Sequence, residues 1–378
     1  MKELLTRTEC TAMKGIAILG IMLHNYCHYV KGVIRENEFT WQQLKCDRLL
    51  EAIQQPDDLL PMHLLSFFGH YGVTVFLFLS GFGLVMKYER SPQSEVGFWR
   101  FLRYNYLKLF RIFIVGFVLF VMLDSITPAM HHYKAHEVIA MLGMYANFLD
   151  HPARVVWPGP YWYFSVTLQL YILYRLVFYR WRHWGVIVAL IVGCWVWQMC
   201  YLDDLVTLER LRYNLVGGLL PFGMGMLVAR FSRKAESGVW KVEREKWKVE
   251  RGKRKEKCSD RRYCRMSILL PLSSFLLPLL LAIPMTFSPQ MWLWVPALAV
   301  VGTIGLVKLI PQRVMPYVVW LGTISAAIFM MHPLVRKIFV RPYLVYDQYA
   351  GLLLFIVVTL VVSWLVKKII DKIPKPTL

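Results

Sequence analysis

Stretches of about 17–22 mostly apolar residues recur along the whole chain, and they limit what it can fold into. Each has the length that a helix needs to cross a hydrocarbon core of roughly 30 Å at about 1.5 Å per residue. Ten are read, near 12–30, 70–87, 106–124, 160–178, 184–202, 214–230, 266–284, 289–307, 316–334 and 349–367. The connections left over are mostly short, with no room for a large soluble domain. The expected fold is all-α: a polytopic membrane protein of about ten transmembrane helices, forming one domain over residues 1–378. A composition of 57% hydrophobic and only 18% charged residues, with a mean hydropathy of +0.44, agrees with this.

A formal net charge of +20 raises nucleic acid or an anionic surface as a partner. The placement of the charges decides between them. With a cytoplasmic N-terminus, the inner segments are the two termini, 87–111, 175–183, 230–265 and 308–313. They hold about 33 of the 44 Lys and Arg. This positive-inside bias predicts both termini in the cytoplasm, makes the lipid bilayer the partner and sets nucleic acid aside. A basic cytoplasmic loop at about 231–265 carries 14 Lys/Arg against 6 Glu/Asp, with a duplicated heptad at Trp240–Lys246 and Trp247–Lys253. It reads as a solvated helix at an anionic membrane surface. The outer segment 31–69 is long enough to carry structure, and 125–159 is expected to hold a short helix near 135–149. The apolar stretch Gly15–Leu23 is short, runs into His24, Asn25 and His28, and meets no small-x-small cleavage site, so a retained polar helix is expected rather than a cleaved signal. Seven scattered cysteines without a C-x-x-C pair indicate neither a zinc site nor a disulfide framework, although Cys27 and Cys46 could meet on the outer side.

Ionisable groups inside a bilayer cost roughly 2.5–3.5 kcal/mol each on insertion scales, so those in the spans are functional suspects. Lys14 stands at the cytoplasmic edge of the first span. His24 lies ten residues on, about 15 Å deeper, with His28 one turn further on nearly the same face and Asn25 between them. In the second span, Ser80, Gly81 and Gly83 permit close helix approach. The fourth span opens on interfacial aromatics including Trp162, and its Gln169 lies deep enough to need a partner. His332 is expected at the outer edge of the ninth span, where Pro333 ends or bends the helix. Arg100, Arg103, Lys108 and Arg111 at the mouth of the third span are either topological anchors or an anion site in which guanidinium groups take phosphate oxygens. His132 and His136, with His131 beside them, could pair on a metal, but no metal is expected.

Four blocks carry a resemblance: Met13–Asn25, Gly72–Leu84, Trp162–Tyr171 and Leu321–Pro333. Together, and in this order, they resemble the acyltransferase-3 family of bacterial membrane acyltransferases. The resemblance implies transfer of an acyl group, usually acetyl, from cytoplasmic acyl-CoA to a sugar hydroxyl of a surface or exported glycan or glycolipid, in the inner membrane. It also implies a basic residue in the first helix followed, after ten intervening residues, by an essential histidine. Lys14 fills the basic place, but that register ends on Asn25, and His24 precedes it. A pair of basic residues near the start of the third helix is implied as well; Arg100/Arg103 and Lys108/Arg111 both fit. The expected chemistry has Arg103 and Arg111 on the CoA phosphates, Lys14 near the thioester and His24 as general base towards the acceptor hydroxyl. The alternative is a transporter or flippase of a lipid or glycan intermediate that uses the buried histidines as a proton relay. Oligomeric state is not readable from the chain.

Overall fold

The computed structural model describes residues 4–90, 96–127, 130–232, 261–340 and 347–378. The duplicated heptad and most of the basic 231–265 loop lie outside the described residues. Among the described residues every regular element is helical and there is no strand. That follows from the solvent: in hydrocarbon a backbone must satisfy its own N–H and C=O groups, and a lone apolar segment does so only as a helix.

In chain order the helices are α1 (Arg7–Cys27), α2 (Gln43–Gln54), α3 (Leu60–Phe68), α4 (Gly72–Tyr88), α5 (Phe98–Asp124), α6 (Ala135–Leu142) and α7 (Trp162–Leu173). They continue as α8 (Trp184–Met199), α9 (Leu205–Arg212), α10 (Leu215–Phe231), α11 (Arg261–Thr286), α12 (Val295–Leu309), α13 (Met315–Val335) and α14 (Gln348–Lys372). The single turns Pro152–Val155 and Pro289–Trp292 are left unnumbered. Each apolar stretch read from the sequence coincides with helix. The outer segment 31–69 holds α2 and α3, and the short helix expected after 135 is α6. The basic stretch Phe98–Arg111 is the first part of α5 itself, so its charges and the apolar span form one continuous rod.

Four helical stretches are long and apolar enough to cross a bilayer: Leu60–Tyr88, Phe98–Asp124, Met315–Ile338 and Gln348–Lys372. A fifth arises if α9 and α10, bent by 44° at their junction, count as one. α8, α12 and the Leu272–Thr286 part of α11 are shorter apolar helices. α5 and α14 bury only 22% and 28% of their most apolar residues, against 67% for the α3–α4 stretch and for α13. The first pair therefore faces outward, and the second pair forms the interior.

α1 lies within that interior, and glycines let it in. A Cβ on Gly322 would stand 1.9 Å from the Thr11 carbonyl oxygen, and one on Gly15 would stand 2.2 Å from that of Val318, so α1 and α13 touch backbone to backbone. On its other flank, a Cβ on Gly72 would meet the Ala17 carbonyl oxygen at 2.3 Å. α4 and α10 meet in the same way through Gly81 and Gly225. This is the small-residue packing of membrane helices, where van der Waals contact replaces the hydrophobic drive. Gly83 departs from the expectation: it is exposed, and a Cβ there would meet nothing within 4 Å.

Two further expectations are corrected. Pro333 does not end its helix; α13 runs through it and passes into a π-helical turn, Arg336–Val340. The Phe329 carbonyl, deprived of its donor by the proline, and the Ile328 carbonyl both lie beside the His332 ring, which makes the interruption tolerable. His332 is fully buried. Cys27 and Cys46 are both free; the Cys46 thiol faces the Thr286 carbonyl at 3.4 Å.

Replacing Gly322 with Ala should force α1 and α13 apart and lower the stability of the purified protein by about 1–3 kcal/mol. Gly83→Ala should leave it unchanged or slightly raised. Thermal unfolding in detergent, read by intrinsic fluorescence, checks both; equal effects would contradict the packing described.

Candidate active site

The phase of α1 is set at its first residues. The Thr6 hydroxyl accepts from the Glu9 N–H at 3.2 Å, and the Glu9 carboxylate accepts from the Thr6 N–H at 2.8 Å, a reciprocal cap that fixes where the helix starts. Glu9 also pairs with Lys308 of α12 at 2.7 Å. From that start, His24 turns towards α3 while Asn25, about 100° further round, turns towards the end of α13.

His24 is buried, with Nδ1 2.8 Å from the Ser66 carbonyl oxygen. A carbonyl only accepts, so Nδ1 carries the proton and Nε2 keeps its lone pair. That is the tautomer of a general base. The His28 ring lies 4.0 Å from the His24 ring, and the His70 ring lies 5.2 Å from it. His70 belongs to the 3-10 turn Gly69–Tyr71 that joins α3 to α4. Across from it, Arg336 Nη1 donates to the Asn25 carbonyl at 2.9 Å and to Asn25 Oδ1 at 3.2 Å, with its guanidinium 4.0 Å over the Tyr29 ring. Its charge acts on His24, His28 and His332.

Buried polar atoms are ordinarily hydrogen-bonded. Here His28 Nε2, both ring nitrogens of His70, the Tyr71 hydroxyl, His332 Nε2 and Arg336 Nε are buried without a partner. Such a concentration marks a place built to receive a polar ligand. Among the described residues no set of His, Cys, Asp or Glu is arranged to hold a metal ion, and His131 stacks on Trp157 with ring centroids 5.1 Å apart.

The segment after α1 packs beside this cluster, with the Glu36 backbone bonded to His28. Ile34 is clasped onto α3: its N–H donates to His63 Nδ1 at 3.2 Å, and its carbonyl accepts from the Ser66 hydroxyl at 2.5 Å. Glu36 is buried beside Lys45 at 3.3 Å, and the Glu38 carbonyl accepts from Arg212. Burial pushes both carboxyl groups up to about 7, against the pull of Lys45 on Glu36 and of Arg212 on both.

At the other end of α1 the cations gather. Lys14 is half-buried and feels the charges of Lys108 and Arg7, and Lys108 feels that of Lys87. The Lys87 ammonium lies 4.0 Å over the Tyr104 ring. No ion pair engages Lys14, Lys87 or Lys108 among the described residues. Arg100 and Arg103 are exposed one to three turns below, whereas Arg111 donates to the Ile373 carbonyl at the end of α14, 3.0 Å away. The remaining residues of interest hold the scaffold. Gln169 Nε2 donates to Asn214 at 2.9 Å, and its Oε1 accepts from the Leu215 N–H at 2.9 Å, which satisfies its amide. Trp162 packs edge-on against Phe39 at 5.1 Å. Ser80 faces Tyr163 and Tyr171 of α7.

A family model described as an acyltransferase domain matches residues 9–368, nearly the whole chain. The chain belongs to the acyltransferase-3 family. No curated protein and no solved structure matches it. Family membership makes it a membrane acyltransferase, and the fold places the family register on two faces of α1. His24 joins the histidine cluster, and Asn25 holds Arg336. Sequence reasoning missed His70, Lys87 and Arg336. His70 was readable as an ionisable residue between Gly69 and Gly72 of an apolar run, and Arg336 as a cation one turn beyond His332.

The raised carboxyls of Glu36 and Glu38 give the outer segment a pH signature. In the folded state they hold protons to a higher pH than in the unfolded chain, so their stabilising share is complete below about 4.5 and lost as pH rises through about 7. The unfolding temperature of wild type should fall across that window. In the Glu36→Gln/Glu38→Gln protein the fall should flatten; an unchanged slope would show that other groups cause it.

Proposed function

We propose that the protein transfers an acyl group, acetyl in the simplest case, from cytoplasmic acyl-CoA to a hydroxyl of a surface or exported glycan or glycolipid. It would act in the bacterial inner membrane with ten spans and cytoplasmic termini. The observation that carries this reading is the fixed Nδ1–H tautomer of His24 within a buried, unsatisfied cluster, ten residues along α1 from the unpaired cation Lys14. Ten residues of helix span about 15 Å, so one rigid element separates an anion site at the inner mouth from a base at mid-membrane.

In this reading the CoA phosphates sit among Lys14, Lys108 and Arg103, with Lys87 beside them. Arg111 keeps further N–H groups after bonding Ile373 and rims the same site. The pantetheine arm follows α1 inward. The acceptor arrives from the outer side beneath the Glu36–Glu38 segment, and its hydroxyl gives its proton to His24 Nε2 as the oxygen attacks the thioester carbonyl. His28 and His70 surround the base and exclude bulk water from it. His332, Trp162, Gln169 and Ser80 support the walls. The closely spaced His24, His28 and His70 rings also suit a proton relay in a transporter of a lipid or glycan intermediate. Purified protein given acetyl-CoA and an oligosaccharide separates the two, because only an acyltransferase releases CoA and adds one acyl mass to the sugar.

For topology, a cysteine at Gln312 in a cysteine-free background should resist an impermeant thiol reagent in intact cells, while one at His136 should react. The opposite pattern would invert the orientation and move the donor site to the wrong side.

For chemistry, His24→Ala should lower kcat by about 10²–10⁴-fold with CoA binding retained. Lys14→Ala or Lys108→Ala should raise KM for acetyl-CoA about tenfold, as expected for lost charge-assisted contacts. Near-normal turnover of folded His24→Ala would remove the base from mid-membrane.

A further inference from the structure

The least economical group in the molecule is Arg336. Its guanidinium is half-buried and held by two neutral groups, the Asn25 amide and Tyr29, whose ring lies 4.0 Å beneath it and whose hydroxyl bonds it, with Nε buried and unpartnered. Among the described residues no carboxylate pairs with it; the neighbouring Asp124 is engaged by Lys337 instead. The titratable groups that share its field are His24, His28 and His332, which add positive charge when protonated, and the Tyr29 phenol that bonds it. A cation partly withdrawn from water without a carboxylate partner is costly to hold. Such a charge is useful where negative charge develops beside it in a water-poor site.

The orientation is also specified. Asn25 Nδ2 donates to the Ile21 carbonyl at 2.9 Å, so its amide cannot flip, and Oδ1 must face the guanidinium. The backbone carbonyl of the same residue takes the same Nη1, and Tyr29 bonds the guanidinium as well, which leaves the Nε–H edge without a partner. Helical spacing places this edge and the His24 ring on adjacent faces of α1.

Resting on the acyltransfer reading above, we propose that Arg336 is the oxyanion-stabilising residue of the reaction and that Asn25 is its positioning residue. The acceptor hydroxyl passes its proton to His24 Nε2, and its oxygen forms a bond to the thioester carbonyl carbon. The π pair of that carbonyl moves onto its oxygen, and the resulting oxyanion is held by the free N–H groups of Arg336. When the pair returns, the carbon–sulfur bond breaks with its electrons on sulfur. The proton on His24 then passes to that sulfur, giving the acylated acceptor and free CoA thiol. Imidazolium and oxyanion appear and vanish together, so the extra positive charge beside Arg336 is matched throughout.

The test uses full-length protein in detergent or nanodiscs with acetyl-CoA and an oligosaccharide acceptor. Arg336→Gln should lower kcat by about 10²–10³-fold with KM for acetyl-CoA within about twofold, the split expected when an interaction exists only in the transition state. Arg336→Lys keeps the charge but not the fork and should recover part of that loss. Asn25→Ala should lower kcat about tenfold at unchanged KM, and the double variant Asn25→Ala/Arg336→Gln should be no worse than Arg336→Gln alone. If Arg336→Gln fails to elute as a monodisperse protein, the Lys and Asn25 variants decide. Folded variants with turnover within about threefold of wild type would overturn the proposal, as would additive losses in the double variant. So would a rise in KM confined to a dicarboxylic donor such as succinyl-CoA, since Arg336 would then read a permanent carboxylate. A wild type that makes no acylated product removes the acyltransfer reading itself, an outcome distinct from an active wild type with indifferent Arg336 variants.

Discussion

The backbone contact between α1 and its neighbours governs the rest of the structure. Gly15 against Val318, Gly322 against Thr11 and Gly72 against Ala17 bring three main chains to distances that no side chain could share. Such contact commits the most polar helix of the bundle to its interior, since every direction in which it could slide or rotate brings a Cβ onto a carbonyl. The residues a bilayer tolerates least, Lys14, His24 and Asn25, are thereby placed away from lipid. Their cost is met by dispersion along the seam and by the apolar packing of Ile18, Ile21 and Met22, all buried.

Within that seam the polar groups divide into satisfied and unsatisfied sets, and the division has a spatial logic. Gln169 and Asn214 bond each other and the backbone around them, with Asn214 Nδ2 reaching the Asn147 carbonyl at 3.0 Å. Those amides join α7 to α10 and have little capacity left over. Around His24 the reverse holds: rings lie close to rings, and His28 Nε2 and both ring nitrogens of His70 are buried without a partner. A partly satisfied network is less stable than either a complete one or an apolar core. A chain that keeps one here does so for what binds, so the unpartnered atoms are a better guide to the site than the histidines counted by themselves.

How far the sequence was legible follows from range. Helix positions were readable because length and hydropathy are local, and each apolar stretch is helical, although among the described residues only four or five are long and apolar enough to cross a bilayer. The small-residue seam was half readable: Gly81 packs against Phe222, while Gly83 in the same motif faces outward, since the exposed side of a helix depends on a partner that the motif does not contain. Pro333 was misread for a related reason. A proline signals a break only if its freed carbonyl stays unpaired, and the His332 ring lies beside the Phe329 carbonyl that Pro333 leaves without its donor. His24 and Asn25 stood as rivals for one place because one residue is a full change of face. The fold gives each its own neighbour, Ser66 for one and Arg336 for the other. Arg336 lies 311 positions from Asn25, and nothing local to either residue announces the pairing.

The same geometry explains why the two ends of α1 need not move relative to each other. Lys14 and His24 share one unbroken helix, so the distance from the cationic mouth to the histidine cluster is set by rise per residue and not by loops. The His24 end is different: its cover, residues 34–38, is a segment without regular structure, held by side-chain bonds from His63, Ser66 and Arg212 and flanked by two carboxyls that burial pushes up to about 7. Rigidity at the Lys14 end and a cover without regular structure at the other suit the proposed reaction, whose two ligands differ. One is a single anionic carrier that always presents the same reach. The other is a larger polar chain that must be admitted and released. An enzyme working across a bilayer needs this asymmetry, and here it is built from one capped helix on one side and two protonatable carboxyls on the other.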